Sequence, residues 1–222
     1  MSDISYILIR RRRRTLSVEI RNKKVIVRAP LFLGRRYIES FLRGKRAWIE
    51  SKLRQPQPKV QDKKFVEGEE FKVLGKAYRL KLLLGSPKET KISGNNIVVK
   101  AADLNPRYIR KLIENFYISV LKQKIDEILA KYKGEFNLGG RKLIVKFYRS
   151  KWGSCSAKDC LSFNAKLAQA PEEVIGYVAV HELAHLQEKN HSRRFWELVS
   201  KFCPDYKSYR KYLNQNRPLF KF

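Results

Sequence analysis

His181-Glu182-Leu183-Ala184-His185-Leu186-Gln187-Glu188-Lys189-Asn190-His191 holds all three histidines of the 222-residue chain. His181 and His185 are four apart, so on a helix they share one face about a turn apart, which suits two ligands of one tetrahedral zinc. The helix is predicted from what precedes it. Pro171-Glu172-Glu173 opens it with acids in its positive first turn, and an apolar period through Val174, Ile175, Tyr177 and Val178 carries it to about Gln187. Glu182 follows the first histidine directly, and on an H-E-x-x-H helix that carboxylate can reach a water held by the metal and act as general base. A catalytic zinc usually takes three protein ligands. His191 can return to the metal once the helix ends at the turn expected at Lys189-Asn190, with Asn190 supplying a left-handed conformation that Glu188 does not favour. Glu197, on the following helix, is the rival third ligand. A bare H-E-x-x-H also arises by accident, but here an apolar-periodic helix carries it and the last remaining histidine completes it.

Outward from this stretch, residues 143–147 and 161–164 read as short strands, bridged by Lys151-Trp152-Gly153-Ser154-Cys155-Ser156. Asn105-Pro106 suits the start of a long helix whose apolar residues hold a 3.6 period up to Gly134. Helices are also expected from Ser192 and after Pro204. Earlier in the chain, residues 4–9, 16–28, 70–74, 78–84, 90–93 and 97–101 read as strands, and apolar spacing predicts one helix ending near residue 54. Gln55-Pro56-Gln57-Pro58-Lys59 reads as a linker, because neither proline continues a helix. The expected fold is α+β, with a basic β-rich region containing one helix over residues 1–104 and a second domain over 105–222 built around the histidine helix.

Lys and Arg number 49 against 21 Asp and Glu, a net charge of +28. Residues 1–60 alone carry 17 basic and 4 acidic side chains. This balance predicts attraction to polyanions, and Arg10–Arg14, Arg35-Arg36 and Arg43–Arg46 make nucleic acid a possible partner. The plainer reading is a solvated basic face, since alternation along a strand puts only half of Arg10–Arg14 on one side. Three cysteines close no disulfide framework, which favours a reducing compartment. Cys155 and Cys160 lack the matching pair that a second metal site would need. No apolar run reaches the roughly 18–20 residues of a membrane span, and the N-terminus lacks the order of a secretory signal. A cytoplasmic location and no membrane partner are expected; oligomeric state is not legible.

Several stretches together resemble the YgjP-like metallopeptidase family, a zincin group similar to the SprT and WLM protease domains. They are Arg14-Thr15-Leu16-Ser17-Val18, Val27-Arg28-Ala29-Pro30, Trp48-Ile49, Gly75-Lys76-Ala77-Tyr78, Trp152-Gly153-Ser154-Cys155-Ser156, Phe163-Asn164, the histidine stretch with Ser192, Phe195-Trp196 and Pro204-Asp205-Tyr206. The resemblance implies a small zincin-like domain and a zinc-dependent metallopeptidase that hydrolyses peptide bonds by a Glu-activated zinc-bound water. It implies Zn2+ as cofactor, His181, His185 and His191 as ligands, Glu182 as catalytic base, and a peptide or protein as substrate. In zincins a strand above the active helix pairs with extended substrate, a role open to residues 161–164 or 143–148. Trp152 and Cys155 either pack around the metal or touch substrate. Asn164 reads as a turn or supporting residue, and Phe195 and Trp196 as packing for the third ligand. Tyr206, Tyr209, Tyr212, Arg149 and Arg194 are candidates to stabilise an oxyanion, Tyr206 first among them. The alternatives are a zinc-stabilised nucleic-acid-binding protein with weak or vestigial hydrolase activity, a protease acting on nucleic-acid-bound proteins, and hydrolysis of some other bond.

Overall fold

In the computed structural model, which describes residues 4–21, 23–54, 62–156, 160–217 and 220, the chain divides into Met1–Lys59 and Val60–Phe222. The linker expected at Gln55–Lys59 lies outside the described residues.

The first unit is a three-stranded sheet with two helices. Strands β1 (Tyr6–Arg11), β2 (Ser17–Arg21) and β3 (Lys24–Pro30) are ordered β1-β3-β2, with β3 parallel to β1 and antiparallel to β2. Alternation along β3 buries Val25, Val27 and Ala29 against Ile38 and Leu42 of α1 (Arg35–Gly44) and Ile49 of α2 (Arg46–Arg54). The single helix expected here is two: α1 stops at Gly44, a poor helix former, and Lys45 leaves helical geometry at φ −103°, ψ 5° before α2 begins. The arginine run does not divide by alternation: β1 ends at Arg11, and Arg10, Arg11, Arg12 and Arg14 are all exposed, with the Arg10 guanidinium donating to the carbonyls of Leu31 and Leu33 at 2.9 and 2.7 Å.

The second unit starts with a four-stranded sheet of β4 (Glu70–Val73), β5 (Lys76–Leu84), β6 (Glu89–Ser93) and β7 (Asn96–Ala101) in the order β4-β5-β7-β6. Helix α3 (Pro106–Lys131) begins as expected, with Pro106 at its first position and the Asn105 side chain accepting from the Arg107 N–H at 3.0 Å. Its buried Tyr117 donates to the Lys72 carbonyl of β4 at 2.8 Å. A second sheet follows: β8 (Leu143–Lys146), β9 (Gly153–Cys155) and β10 (Leu161–Asn164), ordered β8-β10-β9. A buried 3-10 turn, Ala165–Gln169, then feeds α4 (Glu172–Gln187), ahead of α5 (Arg193–Phe202) and α6 (Tyr206–Asn216).

One hydrophobic core runs through all of these. Phe71, Val73, Leu80, Ile97 and Val99 of the four-stranded sheet join Ile109, Ile113, Leu121 and Ile125 of α3 and Ile175, Val178 and Leu183 of α4. The structural division therefore falls at 59/60 and not at the 104/105 boundary expected from sequence. The composition shift at Asn105 marks a change of element, while the apolar face of the sheet is covered by the helices that follow it. Helix α4 is apolar around most of its circumference and is accordingly central. Among the described residues no helix is long and apolar enough to cross a membrane.

The turn between β4 and β5 is seated against the lead-in to α4. Leu74 donates its N–H to the Ala168 carbonyl at 2.7 Å, and Gly75 sits at φ +83° with space for a Cβ only 3.1 Å from Pro171 Cα. Gly75→Ala is expected to cost about 1–3 kcal/mol, from backbone strain and that contact together. A thermal melt reads this as roughly 2–4 °C per kcal/mol, and an unchanged midpoint would refute the seating.

Candidate metal centre

Helix α4 places His181 and His185 on one face, and the chain returns His191 to them just before Ser192 caps α5 by accepting from the Phe195 N–H. The nitrogen atoms available for ligation lie within 4.8 Å of one another across the three rings. The Nε2 atoms of His181 and His191 are 3.1 Å apart. Two zinc–nitrogen bonds of about 2.05 Å at a tetrahedral angle hold their nitrogens about 3.3 Å apart, so this spacing suits one cation between them.

Each ring is set by its own neighbours. The Nδ1 of His185 faces the Glu188 carbonyl at 3.1 Å, which leaves Nε2 as its free lone pair. Glu188 can turn its carbonyl this way because it is extended, at φ −120°, ψ 101°. The left-handed turn expected at Asn190 is absent: the non-glycine residues with positive φ are Lys23, Phe65 and Leu74 among the described residues. Phe195 is fully buried, with its ring centroid 4.9, 4.6 and 4.7 Å from those of His181, His185 and His191. It forms an apolar floor touching all three, the packing role expected of it. Trp196 stacks on His191 at 5.7 Å and on Tyr206 at 5.1 Å. Burial, and after it the neighbouring His185, His191 and Arg210, push the His181 imidazolium down to about 3. His191 shifts down for the same main reason. Three imidazoles gathered over an apolar floor form a donor set that fits a divalent cation, zinc foremost. His181 Nδ1 is buried with no hydrogen-bond partner among the described residues.

Glu182 is 4% exposed. Burial pushes its carboxyl up to about 8, opposed by the Lys151 ammonium and by the Cys155 N–H, which donates to it. Gly153 passes directly beside this carboxylate: a Cβ there would stand 2.5 Å from Oε1 and 2.9 Å from Cδ. Strand β9 is thus the seat of the Glu182 side chain, and only a residue without a side chain fits at 153. The seat is held in turn by Asn164, whose amide donates to the Tyr148 and Lys151 carbonyls at 3.0 and 2.7 Å. Gly153→Ala is expected to displace the carboxylate by a fraction of an ångström to an ångström and to lower hydrolysis by about 10²-fold with metal content unchanged. Metal analysis beside an activity assay checks this, and near wild-type turnover would show that the position of Glu182 is not set by β9.

The other candidates fall as follows. Glu197 is engaged by Arg193 at 2.8 Å and lies outside the histidine group. Cys155 and Cys160 form no disulfide and join no group of three potential ligands among the described residues. Strand β10, one of the two offered for pairing with substrate, is central and paired on both sides, so β8 and β9 are the edges of that sheet. Trp152, Gly153, Tyr177, Val178, His181, Glu182, Arg210, Leu213 and Asn214 line a cavity of about 230 Å³. Trp152 therefore faces the cavity while packing on Phe220 at 5.1 Å. Tyr206, Tyr209, Tyr212, Arg149 and Arg194 are not among its lining residues. Arg210, which sequence reasoning passed over, is. Its one signal in the sequence is a position one helical turn beyond Tyr206.

Helix α4 thus presents two histidines and a buried carboxylate, and with His191 beyond its last turn the three imidazoles could hold one metal ion. The model of the YgjP-like metallopeptidase domain matches residues 14–216, and the chain belongs to that family. A curated relative, the UTP pyrophosphatase of Escherichia coli (strain K12), is 36% identical over 58 residues, which is 26% of this chain and 35% of that protein's length. The crystal structure of the metallopeptidase zymogen of Methanocaldococcus jannaschii jannalysin is similar at 23% identity over 43% of this chain and 88% of its own, with a TM-score of 0.36.

Proposed function

We propose that the chain is a zinc-dependent hydrolase of peptide bonds, with His181, His185 and His191 as ligands and Glu182 as general base. The observation that carries this reading is the buried Glu182 carboxylate, which lines the same cavity as His181. Zinc, when bound, supplies Lewis-acid polarisation of the scissile carbonyl and eases deprotonation of water. Glu182 takes the proton of the attacking water and later delivers it to the leaving amine. The Cys155 N–H orients the carboxylate for this, and the absence of a side chain at Gly153 gives it room. Phe195 excludes water from beneath the imidazoles.

A second reading is hydrolysis of a phosphoanhydride. It is favoured by the curated relative named a UTP pyrophosphatase and by the positively charged Arg210 on the cavity wall. Nucleic acid is a further proposed partner, supported by the exposed Arg11, Arg12, Arg14, Arg35, Arg36 and Arg43 of the first unit.

The test offers zinc-loaded protein a mixed peptide library and, separately, UTP, each with and without a chelator and with zinc restored. Chelator-sensitive cleavage of peptides that zinc restores is the expected result. Metal-dependent release of phosphate or pyrophosphate from UTP with every peptide intact would replace it by the second reading.

A further inference from the structure

Arg210 extends from α6 to the cavity wall with its charge uncommitted. Its guanidinium lies over the Trp196 ring at 5.1 Å, and that ring also stacks against His191 and Tyr206. A flat cation on an indole face keeps its in-plane N–H donors free. None is spent in an ion pair with a carboxylate among the described residues. The nearby acid on α5, Glu197, is engaged by Arg193 at 2.8 Å.

The cations around the centre are divided between its two sides. Lys151 donates to Ser154 of β9 at 2.6 Å, so it belongs with the seat of the base. Arg210 instead shares the cavity wall with His181 and lies over Trp196, which stacks on His191. Among the described cavity-lining residues it is the one with a permanent positive charge; its neighbours on that wall are Leu213 and Asn214. A fixed fork of donors, pinned by stacking and facing a cavity beside the proposed reacting centre, has the chemistry for a planar or tetrahedral oxyanion.

We infer that Arg210 is a specificity residue that takes an oxyanion group of the substrate, a carboxylate or a phosphate, and holds it next to the histidine centre. For a peptide the group is the terminal carboxylate or an acidic side chain; for a nucleotide it is a phosphate. The inference rests on the hydrolase reading above for its place in a reaction, while the anion site is testable by itself.

The experiment is equilibrium calorimetry on the Glu182→Gln protein, which cannot turn a ligand over, with and without zinc. The probes are inorganic triphosphate, a hexapeptide with a free terminal carboxylate, and the same peptide as its amide. Arg210→Gln is expected to weaken the anionic probe that binds by about tenfold or more. Arg210→Lys, which keeps the charge but not the fork, should fall between and covers a Gln variant that fails to fold. Loss confined to triphosphate identifies a phosphate site. Loss for the free acid but not for the amide identifies a carboxylate site. Equal affinity of every probe for Arg210 and both variants, or no binding of any anionic probe to the parent, would overturn the inference. Failure of the parent to retain zinc would count against the hydrolase reading alone, because the comparison without metal still decides the anion site.

Discussion

Glu182→Gln is expected to lower hydrolysis by about 10²–10⁴-fold while the protein keeps about one zinc per chain. Gln has the shape of Glu, so it fits the space beside Gly153 and still accepts from the Cys155 N–H. What it loses is the ability to take a proton. Because the change also removes the desolvation cost of a carboxylate that is 4% exposed, the metal-free variant should melt no lower than wild type. Parallel measurement of turnover, zinc content and melting temperature separates loss of the base from loss of the fold. Full turnover in a zinc-loaded Glu182→Gln protein would remove Glu182 from the chemistry.

His191→Ala is expected to reduce zinc affinity by more than the roughly 10–100-fold typical of losing an outer hydrogen-bond partner, since it removes a proposed ligand outright. Elemental mass spectrometry on dialysed protein would show wild type near one zinc and the variant depleted. The two histidines left on α4 keep their places, because Phe195 supports each ring and the Glu188 carbonyl faces His185. Undiminished zinc in the variant would move the third ligand elsewhere. Glu197 would first have to leave Arg193 to serve.

The histidine cluster was legible because its three members fall within eleven consecutive residues, where helical spacing alone brings two together. The surroundings of Glu182 were not. Gly153 and Cys155 lie 29 and 27 residues upstream, and nothing local shows that their strand runs beside α4. That strand was itself missed: Gly-Ser-Cys has little strand preference, and pairing with β10 is what makes it one. The boundary at residue 104 was misplaced for a related reason. Periodicity along one element says which face is apolar but not which later element covers it, and here α3 and α4 cover the four-stranded sheet. The left-handed turn assigned to Asn190 followed from residue preference, whereas the chain turns through an extended Glu188 whose carbonyl serves His185. Arg210 stayed hidden because a charged residue on an exposed helix reads as solvated until Trp196 is seen beneath it.

The proposed ligands are contiguous in sequence and the seat of the base is not. A short helix with the loop behind it brings three imidazoles together, whereas the carboxylate acquires its strand only when β9 has joined β10 and both have reached α4. Closing the longer loop carries more chain entropy and comes with a larger part of the fold. On the proposed assignment, holding an ion draws on side chains from eleven consecutive residues, whereas using it also draws on a strand 27 to 29 residues upstream.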